Sequence, residues 1–167
     1  MMTPRLFSRP IVFAAVILFA CTAIFVSACS SSGSSSSSVK QSGVVVSNAW
    51  TPESATAADY GSVYFTIENT NAIVEKLFSA SVAQSFAKSA SIQEPAVSAG
   101  SVASGSPMKD VNSVTIPPNA TVAFEQAGDR VMLTGLASPL KNGQKFDLNL
   151  GFMNAGIIKV TVTVKAS

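Results

Sequence analysis

The chain has 167 residues, room for one ordinary domain and too few for two of substantial size. Hydrophobic residues make up 47% and charged residues 12%, which excludes disorder as a description of the whole, and a formal charge of +2 leaves no electrostatic footprint for nucleic acid. Histidine is absent, which removes Ser-His-Asp and Cys-His catalysis, imidazole-dependent zinc sites and imidazole proton shuttles.

Residues 1–10 carry Arg5 and Arg9 and no acid, and Ile11 to Ala28 then runs uncharged as IVFAAVILFACTAIFVSA. A basic start followed by an apolar core is the pattern of a secretory leader, so residues 1–28 are expected to form a signal peptide. The apolar run is long for such a core, and an uncleaved membrane helix is the alternative. Val26-Ser27-Ala28-Cys29 resembles the bacterial lipobox. That resemblance implies that Cys29 is acylated and becomes the mature N-terminus, and the polar stretch directly after it favours this reading over the helix. Both cysteines, Cys21 and Cys29, belong to the leader region, so the body is expected to hold neither a disulfide nor a thiolate. Cleavage would also remove Arg5 and Arg9 and bring the formal charge from +2 to zero. Two acyl chains hold a protein on a membrane far better than one. The expected location is the extracytoplasmic face of the cell membrane, with the lipid anchor at Cys29 as the membrane contact.

Ser30 to Gly43 reads SSSGSSSSSVKQSG, so residues 29–43 are expected to be the lipidated cysteine and a flexible Ser-rich tether. Residues 44–167 remain for the folded domain.

From Val44 onward the apolar residues alternate. Val63, Phe65 and Ile67 are interleaved with Tyr64, Thr66 and Glu68; Phe146, Leu148, Leu150 and Phe152 with Asp147, Asn149 and Gly151; Ile158, Val160, Val162 and Val164 with Lys159, Thr161, Thr163 and Lys165. Period two with one polar face marks half-buried antiparallel strands. Further strands are expected over Val44–Asn48, Lys76–Val82, Lys88–Glu94, Val111–Ile116, Thr121–Glu125 and Arg130–Leu136. Turn chemistry separates them at Asn69-Thr70-Asn71, Pro117-Pro118-Asn119, Ala127-Gly128-Asp129 and Lys141-Asn142-Gly143. About eight or nine short antiparallel strands at this spacing predict an all-β Greek-key sandwich or barrel. Pro95–Pro107, small and uncharged, is expected to be a loop between two of them. Trp50, Tyr60 and Tyr64 are expected to pack in the core and across strands.

An ordered set of phrases then carries a family resemblance. Asn48-Ala49-Trp50 follows a Val-rich strand, and Tyr60 to Asn69 reads YGSVYFTIEN. Ile116-Pro117-Pro118-Asn119-Ala120-Thr121-Val122 and Gly128-Asp129-Arg130-Val131-Met132-Leu133-Thr134-Gly135-Leu136 come next, and Pro139 to Gly143 with Phe152 to Gly156 close the series. Over residues 44–164 this order resembles the PCuAC-type extracytoplasmic copper chaperones, which are cupredoxin-like β-barrels. The resemblance implies a Cu(I) cargo held by two histidines and two methionines, and delivery to the binuclear copper centre of cytochrome oxidase.

Carried onto this chain, the family pattern of a methionine, 21 residues and His-x-Met falls on Met108, Arg130 and Met132. Gln93, followed by Glu94, falls at the upstream histidine. Both imidazoles are therefore replaced. Thioethers suit Cu(I), but an amide oxygen is hard and a guanidinium is a permanent cation without a lone pair to donate. The expectation is a degenerate metal site, with Met108 and Met132 as the remaining candidate ligands. Met132 also reads as an ordinary strand residue, because methionine fills gaps in many cores. Arg130 is expected to pair with Asp129 or Glu94 at the surface; the alternative is that it binds a small anion or a partner's carboxylate.

Two function classes follow. One is a lipoprotein with a copper-chaperone-like domain directed toward cytochrome oxidase assembly. The other is a non-metal module that binds another envelope protein or a small ligand. An enzyme is not expected. Ser85-Phe86-Ala87-Lys88 and Ser106-Pro107-Met108-Lys109 both fit Ser-x-x-Lys, but the companion motifs of penicillin-binding enzymes are missing.

Overall fold

The structure, a computed structural model, describes residues 37–54, 59–96 and 107–166. The leader, Cys29 and the first part of the expected tether lie outside the described residues, as does most of the Pro95–Pro107 loop.

The described residues are all β, in agreement with the period-two patterning. In chain order the strands are β1 (Val39–Gln41), β2 (Val44–Pro52), β3 (Tyr60–Asn69), β4 (Glu75–Val82), β5 (Ala87–Pro95) and β6 (Met108–Asp110). They continue as β7 (Val114–Ile116), β8 (Ala120–Phe124), β9 (Arg130–Leu136), β10 (Lys145–Phe152) and β11 (Gly156–Lys165). Nine of them follow the hydrogen-bonded order β6-β5-β9-β3-β2-β11-β10-β4-β7, with β1 pairing on β2 and β8 on β3. The non-consecutive neighbours make Greek-key crossovers, as the sequence predicts. Every ladder is antiparallel except β2–β11, which runs parallel from Trp50 to Pro52.

Alternation determines what is buried. Val63, Phe65 and Ile67 of β3, Val131 and Leu133 of β9, Leu148 and Leu150 of β10, and Ile158, Val160, Val162 and Val164 of β11 meet in one continuous core. Phe65 stacks on Phe124 with ring centroids 4.4 Å apart. Each such side chain stabilises the fold by about 1.5–3 kcal/mol relative to exposure, so the core needs no cross-link.

Two buried polar side chains clamp the connections. Glu75 is 1% exposed. Its carboxylate accepts from the backbone N–H groups of Lys76 (2.9 Å), Asn154 (2.9 Å) and Ala155 (3.0 Å), which ties the start of β4 to the β10–β11 turn. Asn69 donates through Nδ2 to the carbonyls of Ile73 (2.9 Å), Pro117 (3.1 Å) and Ile116 (3.3 Å). Its Oδ1 accepts from the backbone N–H of Asn71 at 3.0 Å. Both residues supply partners to half-buried or buried backbone groups, the Ile116 carbonyl and the Ala155 N–H being fully buried ones.

Three details depart from the sequence-based expectations. Val39–Gln41, expected to belong to the tether, pairs with β2 in the register Gln41↔Val44. The two-residue turn Ser42-Gly43 has positive φ at both positions (47° and 77°), as a type I′ hairpin turn requires. A side chain at Gly43 would overlap the Asn71 amide. Of the stretch expected as one strand over Val111–Ile116, only Val114–Ile116 forms one, as β7, and the separate strand β6 ends before it at Asp110. Trp50 and Tyr64 pack as expected, with centroids 5.1 Å apart, but Tyr60 is 65% exposed at the end of β3.

Candidate functional site

Strand β9 turns Val131 and Leu133 inward, and period two therefore puts Arg130 and Met132 on its outer face. Across the β5–β9 ladder, Gln93 stands opposite Arg130 and Ser91 opposite Met132. On the other side of β5, Asp110 stands opposite Gln93 and Met108 opposite Pro95. Directly opposed residues share a face. Met108, Gln93, Arg130 and Met132, the four positions singled out by the sequence, thus lie on one outer face of neighbouring strands.

They do not lie in one row. Met108 is level with Pro95, the Asp110–Gln93–Arg130 row comes next, and Met132 is level with Ser91. The two methionines are four positions apart along β5 and on its opposite sides, roughly 16 Å between Cα atoms on an ideal sheet. The Arg130 row lies between them.

The polar groups of that row are incompletely partnered. Gln93 Nε2 donates to Asp110 Oδ1 at 3.0 Å. Gln93 Oε1 and Arg130 Nε are both buried without a hydrogen-bond partner. The ion pair expected for Arg130 is not formed. Glu94 instead accepts Lys109 at 2.9 Å. For Glu94 the physical reason is the pleat, since it neighbours Gln93 in β5 and its side chain leaves the opposite face, while Asp129 lies in the turn that precedes β9. Burial, and secondarily the Glu94 charge, hold the Asp129 carboxyl above the usual carboxylate range.

A donor set of two separated thioethers, an amide and a guanidinium fits Cu(I) poorly, because only the sulfurs are soft lone-pair donors and the cation between them repels a metal ion. Among the described residues no three His, Cys, Asp or Glu side chains gather into a metal-binding group. Beside this face, where β4 and β5 approach each other without pairing, a cleft of about 320 Å³ is lined by residues including Phe78, Ser91, Ile92 and Asp110. Sequence reasoning did not find this cleft, since it depends on two strands brought together by the barrel's curl.

The comparisons with known proteins agree with this architecture. The family model LpqE-like, a lipoprotein family by its description, matches residues 44–164. The apo PCuAC domain from PmoF1 superposes with a TM-score of 0.67 at 21% identity, covering 78% of this chain and 100% of that one. The copper-bound PCuAC domain from PmoF2 gives 0.64 at 15% identity, covering 78% and 99%. The Cu(I) form of DR1885 from Deinococcus radiodurans gives 0.56 at 24% identity, covering 81% and 84%. At these identities the likeness shows the fold. No curated protein matches the chain in sequence.

Proposed function

The chain belongs to the LpqE-like family, and from that premise and the geometry above we propose that it is an extracytoplasmic lipoprotein with a copper-chaperone-like domain whose metal site is degenerate. In this reading residues 1–28 direct export, Cys29 carries the lipid, and the domain acts as a binding module for other envelope proteins or a small ligand. The observation that carries it is the Arg130 row, a permanent cation standing between the two thioethers with no counter-charge bonded to it among the described residues. Such a face suits a partner's carboxylate better than a soft metal ion.

One observation favours a second reading, Cu(I) carriage toward cytochrome oxidase. Both thioethers survive on the same outer face at the positions of the copper-chaperone pattern, and a partner could supply the missing ligands. The two readings part on Cu(I) affinity, measured anaerobically by competition with a chromogenic chelator. The module reading expects no binding tighter than the micromolar range. Tight one-to-one binding that disappears in Met108→Leu and Met132→Leu would overturn it in favour of the carrier. Leucine conserves the volume of methionine, so such a loss would report sulfur and not packing.

A further inference from the structure

Five large apolar side chains stand in the open together: Ile73, Val74, Phe78, Met153 and Ile157, each between 46% and 69% exposed. Single exposed apolar residues are ordinary, but a contiguous group is not. The contiguity is built by hydrogen bonds between two segments. Met153 donates its backbone N–H to the Lys76 carbonyl at 2.9 Å, and Asn154 Nδ2 donates to the Val74 carbonyl at 3.2 Å. Ile157 stands opposite Gly151 in the β10–β11 ladder. A Cβ at Gly151 would come within 3.4 Å of Phe78 Cζ, so bare backbone at residue 151 lies between the Phe78 ring and Ile157. The two segments, residues 73–78 and 151–157, contain one acid, Glu75, and it is buried. The patch therefore exposes no carboxylate of its own, and Lys76 stands within it.

The position of the tether says what covers this patch. Gln41, at the end of β1, donates through Nε2 to the Ala155 carbonyl at 2.8 Å, so the chain enters the fold beside the β10–β11 turn that carries Met153. β1 begins at Val39, ten residues after Cys29. A Ser/Gly-rich sequence of that length, taken as a coil, would span roughly 17 Å on average and about 35 Å at most. A lipid on Cys29 would hold the patch within reach of the headgroup layer at high effective concentration, where even weak intrinsic partitioning is enough to dock it.

We infer that the outer leaflet of the membrane is the occupant: Ile73, Val74, Phe78, Met153 and Ile157 insert into the boundary between headgroups and acyl chains and orient the domain on the bilayer. The inference rests on the acylation of Cys29 proposed above. Trp50, the chain's single tryptophan, is paired with Thr163 of β11, six residues and about 20 Å along the strand from Ile157, and stays out of the lipid.

The test uses the full lipidated chain in phosphatidylcholine–phosphatidylglycerol vesicles, with and without brominated acyl chains. Flotation with the vesicles, lost in Cys29→Ala, reports the anchor. Insertion is read from the double variant Trp50→Phe/Met153→Trp. Its emission is expected to shift to the blue on vesicle binding and to be quenched by the brominated chains, while Trp50 of the unaltered chain is not quenched. Adding Phe78→Ser and Ile157→Ser, both at exposed positions, is expected to abolish the shift without abolishing flotation. A chain that floats with residue 153 unquenched overturns the inference and leaves the anchor standing. A blue shift without quenching, accompanied by dimers in cross-linking, overturns it in favour of a second copy of the chain. A chain that does not float overturns the anchor and the inference with it.

Discussion

Gln93 and Arg130 stand directly opposite each other across the β5–β9 ladder, yet Gln93 Oε1, an acceptor, and Arg130 Nε, a donor, are both buried and unpartnered. The proposed function takes them as the two positions where the copper-chaperone pattern has imidazoles. The pairing of the two strands leaves one acceptor and one donor of this row unsatisfied.

Placing imidazoles at these two positions tests whether the scaffold around the pair can hold Cu(I). In the double variant Gln93→His/Arg130→His, Cu(I) affinity by chelator competition is expected to rise at least about tenfold, or about 1.4 kcal/mol, over the unaltered chain. Two soft-compatible nitrogens then replace an amide and a cation. An unchanged affinity would locate the deficiency in the spacing of Met108 and Met132.

Glu75 predicts a large loss of stability from a residue remote from the candidate face. Glu75→Ala leaves the N–H groups of Lys76, Asn154 and Ala155 without their acceptor, the Ala155 N–H in a buried setting. The expected cost is about 2–5 kcal/mol in chemical denaturation, with Glu75→Gln, which keeps one acceptor oxygen, less affected. A change near zero in Glu75→Ala would show that the turn is held by its strands alone.

Asp129 predicts a pH dependence of definite sign. Its carboxyl is raised by burial and then by Glu94, so the folded chain binds its proton more readily than the unfolded chain. The contribution of this group to stability is fully present below the usual carboxylate pKa and is lost as pH rises through the raised value. Asp129→Asn is therefore expected to melt at a higher temperature than the unaltered chain at neutral pH. The gap should close as the pH falls below about 4. A gap that widens on acidification would reverse the sign and the account.

The fold was largely legible because its strands obey a simple rule. Arg130–Leu136 was read to its exact bounds, and Lys76–Val82 to within one residue at its start, since Val131 and Leu133, and Leu77, face inward at the two-residue period there. β1 was hidden by composition: Ser42-Gly43 is a hairpin turn, but within a run of serines it reads as more tether. The candidate face was half legible. Residue identities and the interval of 21 residues between Met108 and Arg130 could be counted in the sequence. That Met108 sits level with Pro95, two positions from the Gln93 row, depends on the β5–β6 register and could not be counted.

By itself, the sequence determined the all-β class, the inward and outward side of most strand residues, and the absence of any imidazole. These are local properties, set by the two-residue period of the pleat and by composition. Tertiary structure alone decided which outward residues become neighbours. Strand order placed β9 between β3 and β5, brought Arg130 against Gln93, and gathered Phe78, Met153 and Ile157 into one exposed patch. The reason is that pairing between strands distant in the chain is selected by the whole core, and no short segment encodes its own partner.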